Sequence, residues 1–160
     1  MKDKFENKIL DRERLKRLSE EGIGQRVVFT NGCFDLIHAG HVRLLNEARS
    51  MGDLLVVGIN SDESVSRLKG PSRPLITDND RAYILLNFRA VDYVTIFAED
   101  TPLEVIKALR PDVLVKGAEY EKGDIVGADF VESAGGRVVR VDMFEGRSTS
   151  AIIERIKADP

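Results

Sequence analysis

Five short runs rich in β-branched and aliphatic residues, each followed by a stretch with helical patterning, constrain this chain more than any other feature. The runs are RVVFT (26–30), DLLVVGIN (53–60), DYVTIF (92–97), DVLVKG (112–117) and RVVRVDMF (137–144). Between them lie HVRLLNEARSMG, SDESVSRLKG, NDRAYILLNFRA, TPLEVIKALRP and GADFVESAGG, and STSAIIERIKA follows the last run. Runs this short and apolar suit strands covered on both faces. Parallel neighbours need a crossover connection and right-handed crossovers prevail, so strict alternation predicts a parallel sheet wrapped by helices on both sides.

The fold class expected is therefore α/β, a Rossmann-like three-layer fold with a five-stranded parallel sheet. A chain of 160 residues suits one such domain and has no room for a second catalytic one. We read 1–160 as a single domain, with 1–24 an N-terminal helical segment and 25–160 the core. In the first segment Ile9, Leu10, Leu15 and Leu18 stand among charges at roughly helical spacing, and EGIG offers a stop at Gly22 and Gly24.

Charge narrows the function classes. Acidic and basic residues are interspersed and sum to −3, so no broad positive field is offered to nucleic acid, and an anionic ligand must be held locally. The aliphatic runs are too short to cross a bilayer, so no membrane partner is expected. The opening MKDKFENKILDRERLKRLSEEG lacks the apolar core of a signal peptide, and Cys33, the single cysteine, has no internal disulfide partner. A cytoplasmic location follows as the default.

Both histidines of the chain, His38 and His41, fall in TNGCFDLIHAGHVRLL (30–45), at the seam between the first strand and the helix after it. In such sheets ligands bind beyond the carboxyl ends of the strands, where strand order reverses, and this turn is expected there. Gly32 allows close backbone approach, while Gly40 and His41 open a helix whose N-terminal amides are ready donors for an anion. Three-residue spacing puts both imidazoles on one side of a helical turn, from which both can donate to one oxyanion. Two other readings stand beside this one. The pair can be ordinary capping or core histidines, or part of a zinc site, for which the lone cysteine and scattered acids supply no recognisable spacing; no metal ligands are assigned. The longest loop expected is KGPSRPLITDN (69–79), whose length invites a functional explanation, and it is expected to be mobile before nucleotide arrives.

Pattern and position together resemble the HxGH nucleotidyltransferase superfamily, with HAGH at 38–41 preceded by GCFD at 32–35 in the superfamily's GxFD form. The resemblance covers nearly the whole chain beyond residue 26: GDLLVVGINSDESV is similar to the second strand and its loop, and EGRSTSAIIERI to the terminal GxSTxxI motif. Within the superfamily, TNGCFDLIHAGHVRLL, LKGPSRPL, LVKGAEY and GRSTSAIIERI most resemble D-glycero-D-manno-heptose 1-phosphate adenylyltransferases of the stand-alone kind, which otherwise often occur fused to a sugar kinase.

That resemblance implies ATP and a sugar 1-phosphate as partners, Mg2+ bridging the phosphates, pyrophosphate as leaving group, a role in bacterial lipopolysaccharide or surface-sugar biosynthesis, and a homo-oligomer. It implies His38, His41 and Lys69 as catalytic, the lysine swinging over the triphosphate from a Gly/Pro-rich loop. Thr30, Asn31, Gly32, Phe34, Gly40, Lys116, Gly117, Ser148 and Thr149 fall to the nucleotide, and Asp35, Arg73 and Arg81 to the other substrate or its phosphate. Each carries a plainer reading as well: a solvated lysine at 69, a surface ion pair at Arg81, an Asx-type cap at Asp35, a turn glycine at 117 and helix caps at 148–149. The pattern is broken near its end, because related cytidylyltransferases carry an arginine where Met143 stands, and Arg147 occupies an isoleucine position. Rival functions are a CTP-dependent glycerol-phosphate or ethanolamine-phosphate cytidylyltransferase and a nucleotide sensor without turnover. A pantetheine-phosphate adenylyltransferase is not matched by FDLIHAGH.

Overall fold

The computed structural model describes residues 5–22 and 24–159; positions 1–4 of the expected N-terminal segment, and Ile23 within its stop signal, lie outside the described residues. Five strands, β1 (Val27–Gly32), β2 (Leu54–Asn60), β3 (Tyr93–Phe97), β4 (Val113–Gly117) and β5 (Arg137–Val141), form one sheet of order β3-β2-β1-β4-β5 with every pair parallel. Strand order reverses between β1 and β4, so the three-layer reading holds and the switch point lies beside the β1 turn.

The pleat explains the two helical layers. Along β1, Val28 faces one core cluster with Leu55, Val57, Val113 and Val115, while Val27 and Phe29 face the opposite cluster with Val56 and Leu114. The first cluster is closed by α2 (Ala39–Arg49) and α4 (Asp78–Leu86), and the second by α1 (Arg12–Glu21), α5 (Leu103–Leu109) and α6 (Ala128–Ser133). Two further helices frame the site: α3 (Asp62–Lys69) follows β2, and α7 (Thr149–Ala158) is the last element.

Register is set by aspartates at the strand entrances. The Asp53 carboxylate, just before β2, accepts from Arg26 N at 2.7 Å; Asp112, before β4, accepts from Val27 N at 2.7 Å; and Asp92, before β3, accepts from Leu55 N at 2.8 Å. Each acid thus ties its own strand to the start of a neighbour, satisfying an amide the ladder leaves over. Helix starts are fixed in the same local way, with Asp11, Ser61 and Thr77 accepting from the backbone of the first turn of α1, α3 and α4.

Two expectations need correction. Ile9 and Leu10 do not belong to the first helix: Ile9 bridges Val94 in parallel, Leu10 N donates to Val94 O at 2.8 Å, and α1 begins only after its cap Asp11. The segment therefore covers the free edge of β3 before turning into a helix that packs on α5. The last strand is also shorter than its apolar run and is not covered on both faces. It is an edge strand with Arg137 and Arg140 exposed, and it stops at Val141, so Asp142 to Phe144 leave the sheet.

Candidate active site

The carboxyl ends of β1, β2 and β4 open onto a cavity of about 690 Å³. Its centre is the turn from β1 into α2, and its rims are the end of α3, the residues after β4 and the start of α7. Of the residues assigned from sequence, this one cavity is lined by all except Gly40 and Arg81.

The two histidines are bound to each other through the helix they begin. His38 is the N-cap of α2, and its Nδ1 accepts from Gly40 N at 3.1 Å; His41 Nδ1 reaches back to accept from His38 N at 3.2 Å. This is a capping box built from imidazoles in place of a hydroxyl and a carboxamide. The capping reading and the ligand reading are therefore compatible, because a ring that accepts at Nδ1 carries its proton at Nε2. The rings lie 3.9 Å apart between centroids, tilted by 34°. Gly40 makes the arrangement possible, since a Cβ there would sit 2.9 Å from the His38 ring. Phe34, held at φ 51° in a region that only glycine enters freely, packs 5.0 Å from the His41 ring.

Both rings are uncharged at neutral pH. Burial, with His38 beside it, pushes His41 down to about 4. Burial, helped by the positive charge of Arg147, lowers His38 as well. Two stacked, neutral Nε2–H donors line a cavity with cationic walls.

On the β4 side, Lys116 Nζ lies 3.1 Å from Asn31 O and 3.3 Å from Asn31 Oδ1, and 4.6 Å from the centroid of the Tyr120 ring. Burial lowers this lysine to about 8, with Glu119 acting in the opposite sense, so it remains mainly an ammonium at neutral pH. Beside it, a Cβ at Gly117 would meet Glu119 Oε2 at 2.0 Å, so the exposed Glu119 side chain would have to swing aside. Thr30 is fully buried, and among the described residues its Oγ1 is a side-chain oxygen with no partner, in the cavity wall. At α7, Ser148 accepts from Ala151 N at 3.1 Å as N-cap, and Thr149 Oγ1 donates to Leu36 O at 3.1 Å.

Opposite that wall the structure rearranges what the sequence suggested. Asp35 is 2% exposed, and its two oxygens accept from Arg73 Nε at 2.6 Å, Leu75 N at 2.8 Å and Ile76 N at 2.9 Å. Its acceptor capacity is committed to the 70–77 loop, which it ties to the turn between β1 and α2. Burial works to raise its carboxyl, but these three donors outweigh that and hold it below the usual carboxylate range. Arg73 lines the cavity from within this clamp.

Arg81 is not at the surface and does not line the cavity. It is wholly buried near the start of α4 and donates to Ile76 O at 2.9 Å, Cys33 O at 2.6 Å and Asp62 Oδ1 at 2.8 Å, binding the loop, the turn and α3 together. Lys69 does line the cavity, but as the last residue of α3, with Gly70 as the C-cap, and not from the loop itself. Residues that sequence reasoning did not assign also line it, among them Asn60, Asp100, Tyr120 and Arg147. Only Arg147 carried a signal, as a basic residue at a position where the motif has isoleucine.

Among the described residues no three His, Cys, Asp or Glu side chains form a group that could hold a metal ion. No helix among them is long and apolar enough to cross a membrane.

Comparison with known proteins agrees with this geometry. Residues 29–155 match the cytidylyltransferase-like family. The bifunctional protein HldE of Syntrophotalea carbinolica is 57% identical over 154 residues, covering 95% of this chain and 31% of that protein. The bifunctional protein HldE of Pelobacter propionicus is 55% identical over 153 residues, covering 94% of this chain and 31% of that protein. The chain thus spans about a third of the length of these curated relatives. Among solved structures, the lipopolysaccharide core biosynthesis protein from Thermoplasma volcanium aligns with a TM-score of 0.65 at 25% identity, over 76% of this chain and 100% of that one.

Proposed function

The chain belongs to the cytidylyltransferase-like family, and from that premise we propose that it transfers AMP from ATP to D-glycero-D-manno-heptose 1-phosphate, giving ADP-heptose and pyrophosphate. An oxygen of the sugar phosphate attacks the α-phosphorus. The bond from that phosphorus to the bridging oxygen breaks, and pyrophosphate leaves with the electron pair. Such a displacement requires alignment and dispersal of charge more than a protein nucleophile.

The observation that carries this reading is the imidazole pair. His38 and His41 have Nδ1 committed to the α2 backbone and Nε2–H free at the cavity. Neutral donors fixed before the ligand arrives strengthen their bonds as charge grows on the α-phosphoryl oxygens and the leaving group, which is the condition for lowering a barrier. Lys116 and Lys69 flank them as point charges for the triphosphate, with Thr30, Asn31, Gly32 and Gly117 bringing backbone and small polar groups close to it. Ser148 and Thr149 begin α7, whose first turn lines the same cavity. Phe34 and Gly40 act through the histidines they position. Arg73 is the arginine placed for the acceptor's phosphate, whereas Asp35 and Arg81 serve that side by holding the loop.

Nucleotidyltransferases of this kind generally use Mg2+. Among the described residues Asp35, Asp100 and Glu119 do not gather into a cage for it: Asp35 is saturated, and Asp100 is paired with Arg67 at 2.9 Å. Magnesium suits the role of an ion carried in by the phosphate oxygens, with most of its waters retained.

The heptose and ATP assignments rest on the motifs quoted above, on relatives identical at more than half of the aligned positions, and on the lipopolysaccharide protein of the same fold. The test is pyrophosphate release from ATP or CTP with α- and β-heptose 1-phosphate, glycerol 3-phosphate and ethanolamine phosphate. Release confined to ATP with one heptose phosphate is expected. Release with CTP and a small alcohol phosphate replaces the substrate and keeps the chemistry, and ATP binding without turnover on any acceptor supports the sensor.

A further inference from the structure

The cavity has two wings about β1. On the β4 side lie Lys116, Gly117 and Tyr120, and on the β2 side lie Asn60, Lys69 and Arg73. Asn60 ends β2, is 4% exposed and lines the cavity. Its Nδ2 donates to Ser64 Oγ at 3.0 Å, and Ser64 Oγ donates to Glu99 O, just beyond β3, at 3.0 Å. Among the described residues the donor to Asn60 Oδ1 is the Cys33 thiol, at 3.9 Å.

This chain of bonds has one direction. A hydroxyl has a single proton and a backbone carbonyl only accepts, so the Ser64 proton is committed to Glu99 O and Asn60 must turn its NH2 toward Ser64. Oδ1 is thereby fixed beside Cys33, and a thiol is a weak donor that leaves most of a carboxamide oxygen's capacity unused. A buried acceptor held in a cavity wall calls for a donor from a ligand. Ionised phosphate oxygens accept and cannot supply one. Burial pushes the Cys33 thiol up while the charges of Lys69, Arg81 and Arg73 work against it. The space beside Oδ1 therefore lies in a positive field that disfavours an ammonium. A neutral hydroxyl on a phosphorylated ligand meets both demands, its phosphate facing the cations and its O–H facing Oδ1. One helix builds both halves: Ser64 of α3 orients Asn60, and Ser66 Oγ donates to Arg73 O at 2.6 Å.

We propose that Asn60 Oδ1 accepts a hydrogen bond from a hydroxyl of the phosphorylated acceptor, with Ser64 as the positioning residue that fixes its amide. That this ligand is the acceptor of a nucleotidyl transfer rests on the function proposed above, and the oriented oxygen itself rests on the bonds from Asn60 through Ser64 to Glu99. The β2 wing thus selects acceptors by their hydroxyl groups as well as by their phosphate.

The test is calorimetric titration of the full chain, of Asn60→Ala and of Ser64→Ala with heptose 1-phosphate, glycerol 3-phosphate, ethanolamine phosphate and inorganic phosphate, with and without a non-hydrolysable ATP analogue. Ser64 can keep its bond to Glu99 O in Asn60→Ala, so an unchanged thermal midpoint is the control for folding. Ser64→Ala, which leaves Asn60 in place, and the wild-type ranking of ligands carry the test where that control fails. Asn60→Ala is expected to weaken the tighter-bound of the two hydroxylated phosphates about fivefold or more and to leave inorganic phosphate and the ATP analogue within about twofold. Ser64→Ala should show the same selectivity with a smaller loss, and wild type should prefer glycerol 3-phosphate to ethanolamine phosphate. Equal affinity of wild type and Asn60→Ala for the hydroxylated phosphates overturns the proposal, as does an equal loss for inorganic phosphate, a preference for ethanolamine phosphate, or a wild type that binds neither hydroxylated phosphate. Failure of nucleotidyl transfer with every acceptor would overturn the activity alone, because these binding comparisons do not depend on turnover.

Discussion

At the scale of single residues, the pair at 38 and 41 does two things with two nitrogens each. Nδ1 closes the start of a helix, and Nε2 is left for the phosphates in the proposed reaction. Replacing either histidine by alanine should reduce turnover by about two orders of magnitude or more, the range seen when one preorganised donor to a developing oxyanion is removed. Steady-state kinetics on variants with native circular dichroism checks this, and turnover near that of wild type would return the pair to capping alone. Because the chain has only two histidines, the same variants assign both imidazole signals in a proton NMR titration. His41 is expected to titrate near 4 and His38 below its ordinary value of 6.5. A ring titrating at 6.5 or above in the free protein would contradict its burial.

At the scale of elements, the loop between α3 and α4 is fastened at Asp35. Asp35→Ala removes an acceptor shared by two backbone amides and a guanidinium, leaving three partly buried donors without it, at a cost of up to about 1–3 kcal/mol each. The amides of Leu75 and Ile76 should then lose their protection from hydrogen exchange, while those of β1 and β2 keep theirs. Unchanged protection at 75 and 76 would show that the clamp does not hold the loop. This clamp marks the limit of what the sequence disclosed. The strands, the helices and the turn after β1 were legible because periodicity, caps and glycines are local signals. Asp35 was legible as an important residue, but its partners lie about forty positions away, and no local pattern reports a carboxylate saturated from that distance. Arg81 was misread as a surface or ligand-facing group for the same reason: its three acceptors come from the turn, the loop and α3. Ile9 and Leu10 fitted helical spacing, yet an unguarded strand edge drew them into a bridge.

At the scale of the whole molecule, these groups set how stability responds to acid. The unfolded chain takes up protons on its histidines near pH 6.5, whereas the folded chain resists until about pH 4 at His41. The unfolded state therefore binds more protons throughout that window, and the free energy of unfolding should fall as pH is lowered from 6.5 to 4. Asp35 adds a loss further down, since its contribution is present above the ordinary carboxyl range and disappears as pH falls through its lowered folded value. Urea denaturation at a series of pH values checks the slope. It should flatten between those limits in His41→Gln, and a flat profile in the wild type would be inconsistent with neutral, buried rings. The imidazole capping box has a consequence for how the catalytic state is reached. The bonds that start α2 also fix which nitrogen of each ring holds its proton, so a chain that has folded this helix has already chosen its tautomers. In the proposed reaction, readiness for the triphosphate is inherited from folding, and binding has only to find it.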